Sequence, residues 1–174
     1  MQRIVTRLAD LSAVLGGIVL AALILMTCLS IAGRAMAGLG LGPVPGDFEL
    51  VESGIALAVF CFLPLCQLRA GHASVDLLAG AFGDRVNRLL LAFWEVLAFL
   101  VLALIAWRLW QGTLDKIGNR QTTLILQFPV WWAYAACLPP AVATVAVALW
   151  SAWDRLRGAA TGRDTRPITG ESTH

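Results

Sequence analysis

Long stretches of this sequence lack charge. Residues 11–33, 53–68, 89–107 and 121–153 hold one charged side chain among them, Glu95. Over all 174 residues, 14% are Asp, Glu, Lys or Arg and 59% are hydrophobic, whereas about a quarter of a soluble domain is charged. This pattern excludes a disordered chain and a nucleic-acid-binding domain. The formal net charge of +2 gives no reason to expect a polyanionic partner. Histidine is nearly absent. Only His72 and the terminal His174 occur, which excludes a haem-carrying anchor that needs intramembrane histidine pairs. The four cysteines, Cys28, Cys61, Cys66 and Cys137, show no C-x-x-C spacing. They are read as small apolar packing residues and not as a disulfide, metal or redox set. Gly38, Gly40, Gly42 and Gly46 cluster without the Lys-Ser/Thr ending of a phosphate-binding loop. No internal repeat is visible. No catalytic, cofactor or metal constellation is expected.

What is present is apolar length. A helix needs about 20 apolar residues to cross a hydrocarbon core of roughly 30 Å. The sequence predicts an all-α integral membrane domain over residues 1–157. Its four spans fall at about 11–32, 48–68, 89–110 and 129–153. The second window is short, so its span borrows an acidic first turn. Pro45-Gly46 turns the chain, Asp47 caps the helix, and Glu49 and Glu52 lie at the positive end of its dipole. Pro129 suits a first helical position, which leaves 121–128 as loop. Trp107 and Trp110 close span three. Trp131 and Trp132 open span four, and Trp150 and Trp153 close it, matching the preference of indole for the headgroup zone. Arg and Lys favour one side: Arg3, Arg7, Arg69, Arg85, Arg88, Arg155, Arg157, Arg163 and Arg166 against Arg34, Arg108, Lys116 and Arg120. The positive-inside rule puts both termini in the cytoplasm. The first apolar run is too long for a signal peptide and is read as a retained helix.

Between spans two and three, Val75, Leu78, Phe82, Val86 and Leu89 recur at helical spacing, with Asp76, Asp84, Arg85 and Arg88 on other faces. This predicts an amphipathic interfacial helix over about 73–88. The tail 158–174 is rich in Thr, Gly and charge and is expected to be disordered. Small residues form stripes at Ala9, Ala13, Gly17 and Ala21, at Gly54 and Ala58, and at Ala133, Cys137 and Ala141. Such stripes let helix backbones approach closely in lipid. Pro64, Pro139 and Pro140 fall inside spans and are expected to bend them. Glu95 is the intramembrane carboxylate. A structural or partner-facing role is favoured over a proton or ion relay, because Arg88 lies only two turns away.

Three segments then form a recognisable pattern. Glu52 opens span two. Leu68-Arg69-Ala70-Gly71-His72-Ala73-Ser74-Val75-Asp76 follows it directly, and Thr122-Thr123-Leu124-Ile125-Leu126-Gln127-Phe128-Pro129-Val130-Trp131-Trp132 leads into span four. The chain resembles the small membrane subunit, DctQ-like, of tripartite ATP-independent periplasmic (TRAP) transporters, over nearly its whole length. Ala73 departs from the β-branched residue usual after the histidine. The resemblance implies a non-catalytic scaffold subunit in the bacterial inner membrane, within a sodium-coupled importer of organic acids. Its implied partners are a large multi-span permease subunit, a periplasmic substrate-binding protein and membrane lipids. The residues carrying the pattern or expected at lipid and subunit contacts are Glu52, Arg69, Gly71, His72, Asp76, Pro129 and Trp131. Arg34, Asp47 and Glu49 are candidates for periplasmic docking. Two alternatives from other classes stay open on the residues alone: an anchor for a quinone-linked oxidoreductase, and a stand-alone small transporter using Glu95.

Overall fold

In lipid the backbone can satisfy its N–H and C=O groups only internally, so apolar runs of this length fold as helices. A computed structural model describes residues 2–69 and 84–161, and among these it contains four long helices. They are α1 (Gln2–Ala35), α2 (Asp47–Leu68), α3 (Asp84–Asn119) and α4 (Trp131–Thr161). A single 3₁₀ turn, Ala37–Leu39, follows α1. Each of the four helices contains a segment long and apolar enough to cross a membrane. At 1.5 Å per residue, α1 and α3 run to about 50 Å, well beyond a hydrocarbon core of roughly 30 Å, so their ends project from it.

The boundaries refine the sequence reading. The α2 helix does start with the acidic turn, but Gly46, at φ 72°, takes the N-cap position and Asp47 is the first helical residue. The α3 helix continues past Trp110 to Asn119. The α4 helix starts at Trp131, two residues after Pro129, and runs to Thr161, so 158–161 are helix and not tail. The predicted interfacial helix lies mostly outside the described residues, and its last positions, 84–88, form the start of α3. Residues 162–174 are also outside them. The α2 and α4 helices continue through Pro64 and through Pro139-Pro140.

The helices form an open layer in the order α1, α2, α4, α3. Among the described residues, α3 packs on α4, α4 on α2 and α2 on α1, with a minor contact between α1 and α4. The α4 helix is therefore the centre of the layer. Cys137, Ala141, Ala143, Thr144, Val147, Ala148, Ser151 and Ala152 on it are all buried.

The α1–α2 pair packs along a seven-residue repeat. Val5, Ala9, Ser12, Gly16, Val19, Leu23, Met26, Ser30 and Gly33 alternate at steps of four and three and are all buried or half-buried. Gly16 lies against Cys61 and Ala58; a Cβ there would sit 2.9 Å from the Cys61 Cβ. Gly54 lies under Leu23, and the Ser30 hydroxyl reaches Asp47. These contacts advance seven residues at a time on both helices in opposite directions, the register of an antiparallel coiled pair. The expected stripe on α1 is thus half right. Ala9 is buried, but Gly17 faces open space and the neighbouring Gly16 makes the close approach. A four-residue repeat drifts round the helix, whereas alternating steps of three and four stay on the seam. The stripes on α2 and α4 do fall at helix contacts.

Candidate functional site

Among the described residues, polar contacts stand out at three places. The first is the end of the layer where α1 finishes and α2 begins. The Ser30 side chain is buried, and its hydroxyl donates to Asp47 Oδ2 at 2.6 Å while accepting the Val44 N–H at 3.3 Å. Asp47 Oδ1 accepts the Phe48 N–H at 2.8 Å, and Arg34 lies 3.6 Å from Asp47 Oδ2. Asp47 thereby ties the 36–46 connection to both helices. The Arg34 side chain is 62% exposed, so its ion pair adds little. Its position in the last turn of α1 suits the negative end of the helix dipole.

The second place is the connection between α3 and α4, which is not the plain loop expected. Thr123 N–H donates to Phe128 O, and Val130 N–H donates to Gln121 O, each at 3.0 Å. Thr122 and Pro129 form an isolated antiparallel bridge. The result is a small hairpin, entered from α3 through Arg120 at φ 47° and with Gln127 at φ 52° in its turn. A carboxylate from α2 holds its tip. Glu49 Oε1 accepts the Ile125 N–H at 2.7 Å and Oε2 accepts the Leu126 N–H at 3.0 Å. The Leu126 side chain fills the space where a Cβ on Gly46 would stand, so only glycine fits there. Leu124 and Phe48 remain exposed at this end. Pro129 accepts the Trp132 N–H at the start of α4, and Trp131 packs edge-on against Trp132.

The third place lies between α2 and α3. Gln67, buried in the last turn of α2, donates from Nε2 to Glu95 Oε2 at 2.9 Å. Glu95 is half-buried and makes a further interaction besides this one. On α4, Thr144 and Ser151 are buried, with Thr144 bonded back to Pro140 O at 2.8 Å.

The expected site residues are therefore distributed as follows. Asp47 and Glu49, read as docking charges, are engaged in holding this chain's own connections. Glu52 is exposed on α2, and Arg69 is exposed at the C-cap of α2. Gly71, His72 and Asp76 lie outside the described residues. Sequence reasoning missed Gln67 as the partner of Glu95. The signal available was an uncharged amide in the last turn of a span, since an amide in hydrocarbon needs a partner. It also missed the hairpin, whose threonines and positive-φ glutamine give no strong turn signature. Indoles at span ends pair with neighbouring arginines, Arg108 over Trp107 at 5.5 Å and Arg157 over Trp153 at 4.7 Å. This fits side chains lying at a membrane boundary.

Four long apolar helices in one layer, with aromatic and arginine pairs near the span ends, define an integral multi-span membrane protein. Within that class the chain belongs to the family described as tripartite ATP-independent periplasmic transporters, DctQ component, whose sequence profile matches residues 23–158. It is a small component of a TRAP transporter. No curated protein and no solved structure matches it significantly.

Proposed function

We propose that this chain is the non-catalytic scaffold subunit of a sodium-coupled TRAP importer of organic acids. It packs against the large permease subunit in the bacterial inner membrane, with both termini cytoplasmic. Sodium and substrate sites reside in the partners. The observation that carries this reading is the family match over most of the chain. The open layer supports it: only 6% of the apolar 18-residue stretch in α3 is buried within the chain, leaving broad apolar faces for lipid and a second multi-span protein. The side that bears Arg34, Glu52 and the hairpin faces the periplasm and the substrate-binding protein. There Arg34 and Glu52 offer exposed charge, while Asp47 and Glu49 keep the two connections in shape. Charges at the rim of a transient interface act mainly on association rate, so docking is salt-sensitive. Arg69 at the C-cap of α2, with Gly71, His72 and Asp76 following it, meets lipid headgroups on the cytoplasmic side.

Mild extraction of the native membrane followed by affinity purification of this chain tests the proposal. The expected result is co-purification of a much larger multi-span protein. Recovery of a stable, monodisperse monomer alone would overturn it. Reconstituted complex is then expected to take up an organic acid only under an inward sodium gradient and with the binding protein present.

A further inference from the structure

Among the described residues, α2 and α3 do not pack against each other; α4 lies between them in the layer. The Gln67–Glu95 hydrogen bond nevertheless joins them, at 2.9 Å. Among the described residues α3 packs on α4 alone, with Ala92 and Thr113 buried and Gly112 against Tyr134; this close-packed face holds α3 to α4 but makes no direct tie to α2. The polar contact adds that tie and sets α3 directly against α2. A rotation of α3 that parted the pair would leave the Gln67 amide, buried on α2, without this acceptor. The bond also carries a cost. Gln67 Oε1 is buried and makes no hydrogen bond, and an orphaned buried acceptor opposes folding. Two apolar side chains would fill the same space without that penalty, so stability alone does not explain the pair.

We propose that Gln67 and Glu95 are positioning residues: a polar latch that sets the orientation of α3 relative to α2 and thereby the face this subunit presents to the permease. The second half of this statement rests on the function proposed above, and the first half does not.

The test uses the full chain in lipid nanodiscs, with Cys28, Cys61, Cys66 and Cys137 replaced by alanine. Spin labels are attached through Val59→Cys and Leu100→Cys, both at exposed positions on α2 and α3. The unaltered pair is expected to give one narrow inter-label distance distribution. The double variant Gln67→Leu/Glu95→Leu should keep its helix content and give a broad one. The exchanged pair Gln67→Glu/Glu95→Gln restores a carboxylate–amide bond and should narrow it again. Gln67→Leu alone removes the amide while leaving Glu95 and its further interaction in place; it should also broaden the distribution, so this variant serves even where the double one fails to fold. An unchanged distribution in the double leucine variant or in Gln67→Leu would overturn the latch. In parallel, recovery of the large permease with the double leucine variant is expected to fall about threefold to fifteenfold, the range supplied by one intramembrane hydrogen bond, and to return with the exchanged pair. If the unaltered chain retains no permease at all, the proposed function fails while the distance measurement still judges the latch.

Discussion

Helices α3 and α4 look alike in hydropathy and length, yet half of the apolar 18-residue stretch in α4 is buried within the chain and only 6% of that in α3. Residue size separates them. The buried positions of α4 include Cys137, Ala141, Thr144, Ala148, Ser151 and Ala152, while α3 exposes Leu97, Leu100, Leu104 and Trp107. In water a buried face is the apolar one. In lipid both faces are apolar, and the buried face is the one with side chains small enough to let backbones approach. The α4 helix can therefore take neighbours on two sides, whereas α3 keeps a bulky surface for acyl chains or another protein.

The sharpest way to break this comparison is to enlarge a side chain at the centre. Ala148→Leu is expected to cost about 1–3 kcal/mol by overpacking, read as a lower thermal transition of the purified chain in detergent. The reciprocal change on α3, Leu100→Ala, is expected to stay within about 0.5 kcal/mol in the isolated chain. Equal losses at both sites would remove the distinction. The adjacent glycines of α1 sharpen it with a smaller change. Gly16→Ala places a methyl 2.9 Å from the Cys61 Cβ and 3.3 Å from the Ala58 carbonyl. It should lower the transition temperature clearly, while Gly17→Ala, which meets nothing within 4 Å, should leave it unchanged or raise it slightly. At the hairpin, Glu49→Gln replaces one of two acceptor oxygens with a donor. Faster hydrogen exchange at the Ile125 and Leu126 amides is expected, with the helices unaffected; unchanged exchange would mean that the carboxylate does not hold the tip. The smallest effect belongs to Arg34→Ala. The exposed pair with Asp47 is screened by water and salt, so the thermal transition should hardly move at any ionic strength.

Much of this was readable from residues alone. The charge-poor windows and the tryptophans at their ends bracketed the spans because charge and indole carry large, depth-dependent transfer costs. The acidic turn of α2 was visible because Pro45-Gly46 and Asp47 left few other conformations. The stripes at Gly54 and Ala58 and at Cys137 and Ala141 pointed to real contacts. The α1 seam was not readable with the same confidence of position: Gly16 and Gly17 are adjacent and identical, and which one faces α2 depends on an interhelical register that neither residue encodes. Nor did the docking reading of Glu49 anticipate its bonds to Ile125 and Leu126, 76 and 77 residues away in sequence.

The sequence by itself determined that the chain enters the membrane, how many times it can cross, and the family to which it belongs, because these follow from summed transfer free energies and from local motifs. Only the tertiary structure decided that α4 lies at the centre, that Gln67 meets Glu95, and that a carboxylate on α2 shapes a hairpin before α4. Those outcomes depend on which of several apolar surfaces pack together. Apolar surfaces in lipid differ little in energy until shape and a few polar groups choose among them.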